Sequence, residues 1–235
     1  IRQGEILGLA GLSGHGKSAL GNGVLGLAPA TGEFRLEGEL LDPGDTARVI
    51  ARGIHILPDE RRRNGLLLNQ SVWENIIFGA LQQKNRFLRP MAPAALRLLD
   101  QRQARQWAGR LVKEMDIRAS GLNQKVRFLS GGNQQKVCLA RVLSLEPRLL
   151  FINEPTRGID VGARQRILQT LVRVNQEQGV TLVCSSSDLD ELKMICDRIA
   201  VFYEGRLFGV YPARSPDEEL ALAISGERWQ ENVCS

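Results

Sequence analysis

The segment Gly11-Leu12-Ser13-Gly14-His15-Gly16-Lys17-Ser18 constrains this chain more than any other. It has the form GxxxxGK[ST] and stands between an apolar run, Glu5 to Ala10, and a stretch, Ser18 to Leu27, that reads as a helix. That strand–loop–helix setting is what the pattern demands. Glycines let consecutive backbone N–H groups turn inward onto phosphate oxygens, and the helix N-terminus adds partial positive charge. Lys17 is expected to neutralise the β- and γ-phosphates, and the Ser18 hydroxyl to ligate Mg²⁺. The predicted cradle runs through Gly11, Ser13, Gly14, His15, Gly16, Lys17, Ser18 and Ala19. His15 occupies a position whose side chain the pattern leaves free.

The rest of the chain reads as α/β. Short apolar runs at Ile54 to Leu57, Leu149 to Ile152, Thr181 to Cys184 and Ile199 to Tyr203 suggest buried strands. Amphipathic stretches lie around Gln134 to Leu145, Ala163 to Gln176 and Leu189 to Cys196. Strands alternating with helices imply a mainly parallel sheet covered on both faces. Phe34 to Leu41 alternates between glycines and suggests an antiparallel hairpin. From Ser71 to Lys125 the pattern turns helical, polar and rich in Arg and Gln, with Pro90 and Pro93 marking a break, as an inserted helical lobe would. The expected division is one domain over 1–235. Its nucleotide-binding core takes 1–70 and 138–235, and the helical lobe takes 71–137.

With 235 residues, 43% hydrophobic, the chain can bury a sizeable core. No apolar run approaches the roughly 20 residues of a membrane helix. The net charge of +5 invites a nucleic-acid reading, but the basic residues are dispersed and few aromatics accompany them. A solvated helix face is the simpler expectation, with an acidic partner surface or membrane headgroups as alternatives; no nucleic-acid partner is expected. Cys138, Cys184, Cys196 and Cys234 lack metal-site spacing and read as reduced thiols. The chain begins at Ile1, already close to a strand pattern, and reads as a cut from a longer polypeptide.

A second glycine-bearing segment, Leu129-Ser130-Gly131-Gly132-Asn133-Gln134-Gln135-Lys136, opens a predicted helix. Standing alone it would be a plain serine N-cap followed by flexible glycines. In a chain that already holds one phosphate cradle, it reads as a second anion-binding N-terminus. It has no strand-linked lysine, so it suits the outer face of a γ-phosphate.

This segment resembles the ABC signature as carried by second ATPase halves of tandem sugar importers of the ribose and galactose type. Leu149 to Ala163 (LLFINEPTRGIDVGA) resembles that family's Walker B and D-loop stretch. Asp59-Glu60-Arg61-Arg62 with Gly65-Leu66 and Ser71 to Asn75 resembles its Q-loop region, and Asp197 to Val201 with Glu204-Gly205-Arg206 its closing strand and hairpin. The resemblance implies a P-loop NTPase core of the ABC type using ATP and Mg²⁺. It implies two ATPase domains closed head to tail, with Ser130, Gly131, Gly132 and Gln134 contacting the partner's ATP. It further implies Glu154 as the base that orients the attacking water, and Ser18, Asp59 and Asn153 around the metal.

Permease subunits, indirectly a solute-binding protein, and a place on the cytoplasmic face of a prokaryotic membrane follow as further implications. The departures are Asn153 where the family usually has Asp, Ser187 where many members have a switch His, and Asp59 for the Q-loop glutamine. They suggest slow hydrolysis at the chain's own site. A regulatory nucleotide-binding module and a soluble ATPase acting on DNA or ribosomes are the competing readings. The last would carry a coiled-coil insertion or a basic linker, neither of which the sequence shows.

Overall fold

The structure is a computed structural model that describes residues 1–12, 14–17, 19–90 and 97–228. In chain order, the first half contains β1 (Ile6–Ala10), α1 (Ala19–Val24), β2 (Phe34–Leu36), β3 (Glu39–Leu41), α2 (Thr46–Ala51) and β4 (Ile54–Leu57). It continues with a one-turn π-helix (Arg61–Gly65), α3 (Val72–Lys84), β5 (Leu88–Pro90), β6 (Arg97–Leu99) and α4 (Gln101–Glu114). A 3₁₀ turn (Val126–Phe128), α5 (Gly131–Leu143), β7 (Leu149–Asn153), α6 (Val161–Gln178) and β8 (Thr181–Ser185) follow. The chain then forms α7 (Leu189–Ile195), β9 (Arg198–Tyr203), β10 (Arg206–Pro212) and α8 (Asp217–Ile224).

These elements sort into two compact units: residues 1–56, 148–155 and 171–235, and residues 57–147 and 156–170. The second unit contains the expected lobe of 71–137 but is larger. Part of the reason lies in α5, a continuous helix to Leu143, so a boundary at 137 would cut through it.

The first unit is built on a six-stranded sheet of order β10-β9-β1-β8-β7-β4. β1 runs parallel to β8 on one side and to β9 on the other, and β7 runs parallel to β8. Every residue of β1 and β8 is buried, which explains continuous apolar runs in place of alternation. β10 turns back antiparallel on β9. Leu7, Leu9, Val24, Leu25, Val49, Ile54, Phe151 and Val183 form the core. Gly21 lets α1 settle directly on the sheet, since a Cβ there would sit 2.9 Å from the Phe151 ring. Phe151→Ala would cost roughly 3–5 kcal/mol. The expected hairpin of Phe34 to Leu41 is present as β2 and β3, a separate two-stranded sheet.

The second unit is mainly helical, with α3 packed on α5 and α4. Ser71 and Glu74 cap α3 reciprocally in a capping box. Asn75, fully buried, accepts from the Leu67 N–H at 2.8 Å and donates to the Leu67 and Ser71 carbonyls, fixing the chain that enters the helix. β5 and β6 pair antiparallel where the sequence suggested only a break between helices. Pro93 of that break lies outside the described residues. Several arginines of this region do more than solvate a face: Arg86 and Arg110 lie over Trp107, and Arg105 lies over Trp73.

Candidate functional site

Parallel pairing brings the C-terminal ends of β1, β8 and β7 to one edge of the sheet, the place where open α/β sheets bind ligands. In the register Leu9 faces Ser185, and Asn153 faces Ser185. The glycine-rich loop leaves β1 there, Asn153 and Glu154 end β7, and Ser185 to Ser187 end β8. The positions of Ser13 and Ser18 lie outside the described residues, so their expected roles stay expectations. Gly11 is held against β9: φ is +150° and an added Cβ would sit 2.5 Å from the Phe202 carbonyl. No side chain fits at that close approach.

Lys17 is buried at 6% exposure. Its Nζ lies 3.4 Å from Glu154 Oε1 and makes no hydrogen bond among the described residues. The two facts agree if the contact is a long ion pair, with the ammonium donors still available. A buried cation with spare donors at the end of a glycine-rich loop fits a polyphosphate chemically.

Glu154 has left-handed backbone (φ +46°), uncommon for a residue with a side chain. Its N–H donates to the Ser185 carbonyl at 2.8 Å, which fixes that turn. The carboxylate is shared: Lys17 lies at Oε1, and the Ser187 hydroxyl donates to Oε2 at 3.2 Å. Ser187 thus touches Glu154 from the place that the resemblance gave to a switch His. Asn153 is buried, and its Oδ1 accepts from the Ser185 hydroxyl at 3.0 Å. The expected metal position therefore offers a neutral amide oxygen already engaged by a hydroxyl.

Among the described residues no group of three or more His, Cys, Asp or Glu could hold a metal by itself. A hard cation held mainly by phosphate oxygens and water, with one or two protein ligands, needs no such cage. The residues present fit Mg²⁺ brought in with a nucleotide, although Asn153 is a weak ligand for it. Asp59 is exposed, belongs to the second unit and accepts through Oδ1 from the Glu60 N–H.

The His15 side chain has a task of its own. Its Nδ1 accepts from the Glu204 N–H at 3.2 Å, and its ring meets Tyr203 edge-on with centroids 5.4 Å apart. The imidazole braces the loop against the β9–β10 turn.

In the second unit Ser130 is exposed and caps α5, its Oγ accepting from the Asn133 backbone and side-chain N–H groups. Gly131 is half-buried, and Gly132 is buried in a tight place: an added Cβ would lie 3.0 Å from Ala163 Cβ. Gln134 needs a correction as a ligand contact. It is fully buried; Nε2 donates to the Val126 and Leu129 carbonyls, and Oε1 accepts from Arg62 Nε. Facing inward from a helix whose N-terminus faces out, it shapes the turn before Ser130 and does not reach a nucleotide. Reading by motif missed Ser185, Ser187 as a Glu154 partner, and the carbonyl partners of Arg61. For Ser185 the hydroxyl run Ser185-Ser186-Ser187 at the end of an apolar strand was the available signal.

Residues 1–157 match the ABC transporter family. The ribose import ATP-binding protein RbsA of Pseudomonas putida is 40% identical over 233 residues, covering 98% of this chain and 44% of that protein. RbsA 2 of Rubrobacter xylanophilus is 38% identical over 226 residues, covering 96% and 42%. The xylose import ATP-binding protein XylG of Moorella thermoacetica is 35% identical over 227 residues, covering 96% and 43%. The chain spans less than half the length of these curated relatives. Among solved structures, a dimeric post-hydrolysis state of the ATP-binding cassette MJ0796 bound to ADP and Pi superposes with a TM-score of 0.74 at 25% identity, covering 92% of this chain and 88% of that one. A nucleotide-free ATP-binding cassette of an ABC transporter shares the fold at a TM-score of 0.76, covering 96% and 86%, with 20% identity. With its glycine-rich loop, its Glu154 turn and its Ser130-capped helix inside a match of this extent, the chain belongs to the ABC transporter family.

Proposed function

We propose that this chain is an ATP-hydrolysing domain that energises uptake of a sugar or sugar-like solute, closing head to tail with a partner ATPase domain beneath permease subunits. The names of the relatives support a sugar, and their greater length leaves room for a partner domain in one polypeptide. Among the described residues no helix is long and apolar enough to cross a membrane. The proposed place is the cytoplasmic face, bound to the permease, with a solute-binding protein delivering cargo on the far side. The observation that carries the reading is the Lys17–Glu154–Ser187 arrangement at the sheet edge.

In the proposed mechanism the glycine-rich loop and Lys17 take the β- and γ-phosphates of ATP. When Lys17 turns to phosphate, Glu154 Oε1 is released to accept a hydrogen bond from the attacking water. Ser187 keeps Oε2 in place, so the carboxylate is oriented before the proton moves. Bound Mg²⁺ would neutralise charge on the β- and γ-oxygens, with Ser18 and Asn153 as the expected ligands. Ser130, Gly131 and Gly132 present N–H groups to the γ-phosphate held by the partner.

A specific observation favours slow turnover at the chain's own site. Asn153 offers no negative charge to the metal, and its oxygen already serves Ser185. The test is steady-state ATP turnover by the full-length protein reconstituted with its permease. Lys17→Ala should leave a measurable fraction of parental turnover. A loss as complete as that of the matching change in the partner domain would refute the asymmetry.

A further inference from the structure

Arg61 opens the π-helical turn that follows β4. Its guanidinium donates from Nη1 to the Arg157 carbonyl at 2.9 Å and from Nη2 to the Gly158 carbonyl at 3.2 Å. A Cβ on Gly131 would lie 3.1 Å from that same Nη2 and 3.4 Å from the Gly158 carbonyl oxygen. One planar fork therefore meets the turn after Pro155 and the first residue of α5 together. All of these segments lie in the second unit.

Arg62, the next residue, reaches the same helix by another route: it donates to Gln134, and Gln134 donates to the Val126 and Leu129 carbonyls. Two consecutive arginines thus tie residues 157–158 and the run leading to Ser130 to a single turn of backbone. Burial, and next the Arg62 charge, pull the Arg61 guanidinium below its usual pKa, and its Nε is buried without a partner among the described residues. A cation kept where one donor goes unused marks a position where fork geometry outweighs the cost of desolvation.

We propose that Arg61 is a positioning residue for ATP turnover, locking residues 157–158 and the N-terminus of α5 into one body that moves with the segment after β4. The proposal rests on the reading of Ser130 and Gly131 as facing the partner's nucleotide. A displacement of the Asp59–Arg63 segment then moves the Ser130 N–H group and the Arg157–Gly158 turn in step. Turnover at the partner's site requires both to arrive together.

The test uses the full-length protein with its permease in proteoliposomes, carrying Arg61→Lys or Arg61→Gln. The measurements are kcat and KM for ATP, photolabelling of the chain's own glycine-rich loop with an azido-ATP probe, and the thermal midpoint. Lysine keeps the charge but cannot hold two carbonyls in a fixed fork. Both variants should lose about tenfold or more in kcat, the scale of one hydrogen bond from a charged donor. KM, photolabelling and the thermal midpoint should stay parental. Three outcomes overturn the proposal: kcat within about twofold of the parent, restoration of kcat by lysine, or a fall in kcat matched by falls in labelling and thermal midpoint. Ser130→Arg, assayed alongside, separates the two levels. If it leaves turnover intact, the underlying reading of the signature fails; if it abolishes turnover while the Arg61 variants stay active, only the proposal fails.

Discussion

Asn153→Asp changes charge at the site and very little else. Asn153 is 7% exposed, and its Oδ1 accepts from the Ser185 hydroxyl at 3.0 Å, a bond that a carboxylate accepts equally well. What the exchange adds is a negative charge one residue before Glu154. A hydrogen bond involving a charged group contributes roughly 1.5–3 kcal/mol. At about 1.4 kcal/mol per tenfold, that corresponds to about 10- to 150-fold in affinity for Mg²⁺ presented with ATP. The Mg²⁺ concentration that half-saturates ATP turnover from the chain's own site should fall by a factor in that range. Without metal the added carboxylate is a buried charge near Glu154, so the variant should melt below the parent in EDTA and recover when Mg-ATP is added. The assays are a Mg²⁺ titration of turnover and thermal melts in EDTA and in Mg-ATP. A half-saturating Mg²⁺ concentration within about twofold of the parent would show that residue 153 does not face the metal and would refute the reasoning.

Glu154→Gln removes both the expected base and the ion-pair partner of Lys17. Turnover from the chain's own site should disappear while ATP binds up to about tenfold more tightly in equilibrium titration, because Lys17 is no longer shared. Ser187→Ala deletes one hydrogen bond to Glu154, so kcat for that site should fall about twofold to tenfold with KM unchanged. Burial pushes the Cys138 and Cys184 thiols up to about 12 from an ordinary 9. The unfolded chain gives up these protons near pH 9 and the folded chain near 12, so their contribution to stability is complete below 9 and declines as pH rises between the two values. Iodoacetamide at about pH 8 should label both thiols in denaturant and neither in the native protein, as mass spectrometry can read.

The strands and most helices were legible in the sequence because buried parallel strands leave unbroken apolar runs, as in Thr181 to Ser185. The glycine-rich loop was legible because its chemistry needs fixed residue types at fixed spacing. The short hairpin of β5 and β6 was not, since three-residue strands carry too little pattern to stand out beside Pro90. Thiol burial was legible for Cys138 and Cys184, and Cys196 is partly covered; Cys234 lies outside the described residues. Gln134 misled because motif spacing says where a residue sits along a helix and not which way its side chain turns. The partners of Arg61 were hidden for a related reason: the Q-loop resemblance places the residue along the chain, and only tertiary structure brings the Arg157 and Gly158 carbonyls, some hundred residues away in sequence, to its guanidinium.

That the glycine-tipped helix of this chain completes a nucleotide site belonging to another domain is tested most directly by Ser130→Arg in the full-length protein, with turnover and azido-ATP labelling of both glycine-rich loops measured on the same sample. Ser130 is exposed, so the larger side chain has room, and the lost cap on α5 costs about 0.5–2 kcal/mol, which a thermal melt of the variant reads separately. The expected result is labelling of both loops at parental levels together with turnover reduced to background. Parental turnover, or loss of labelling confined to this chain's own loop, would contradict the account.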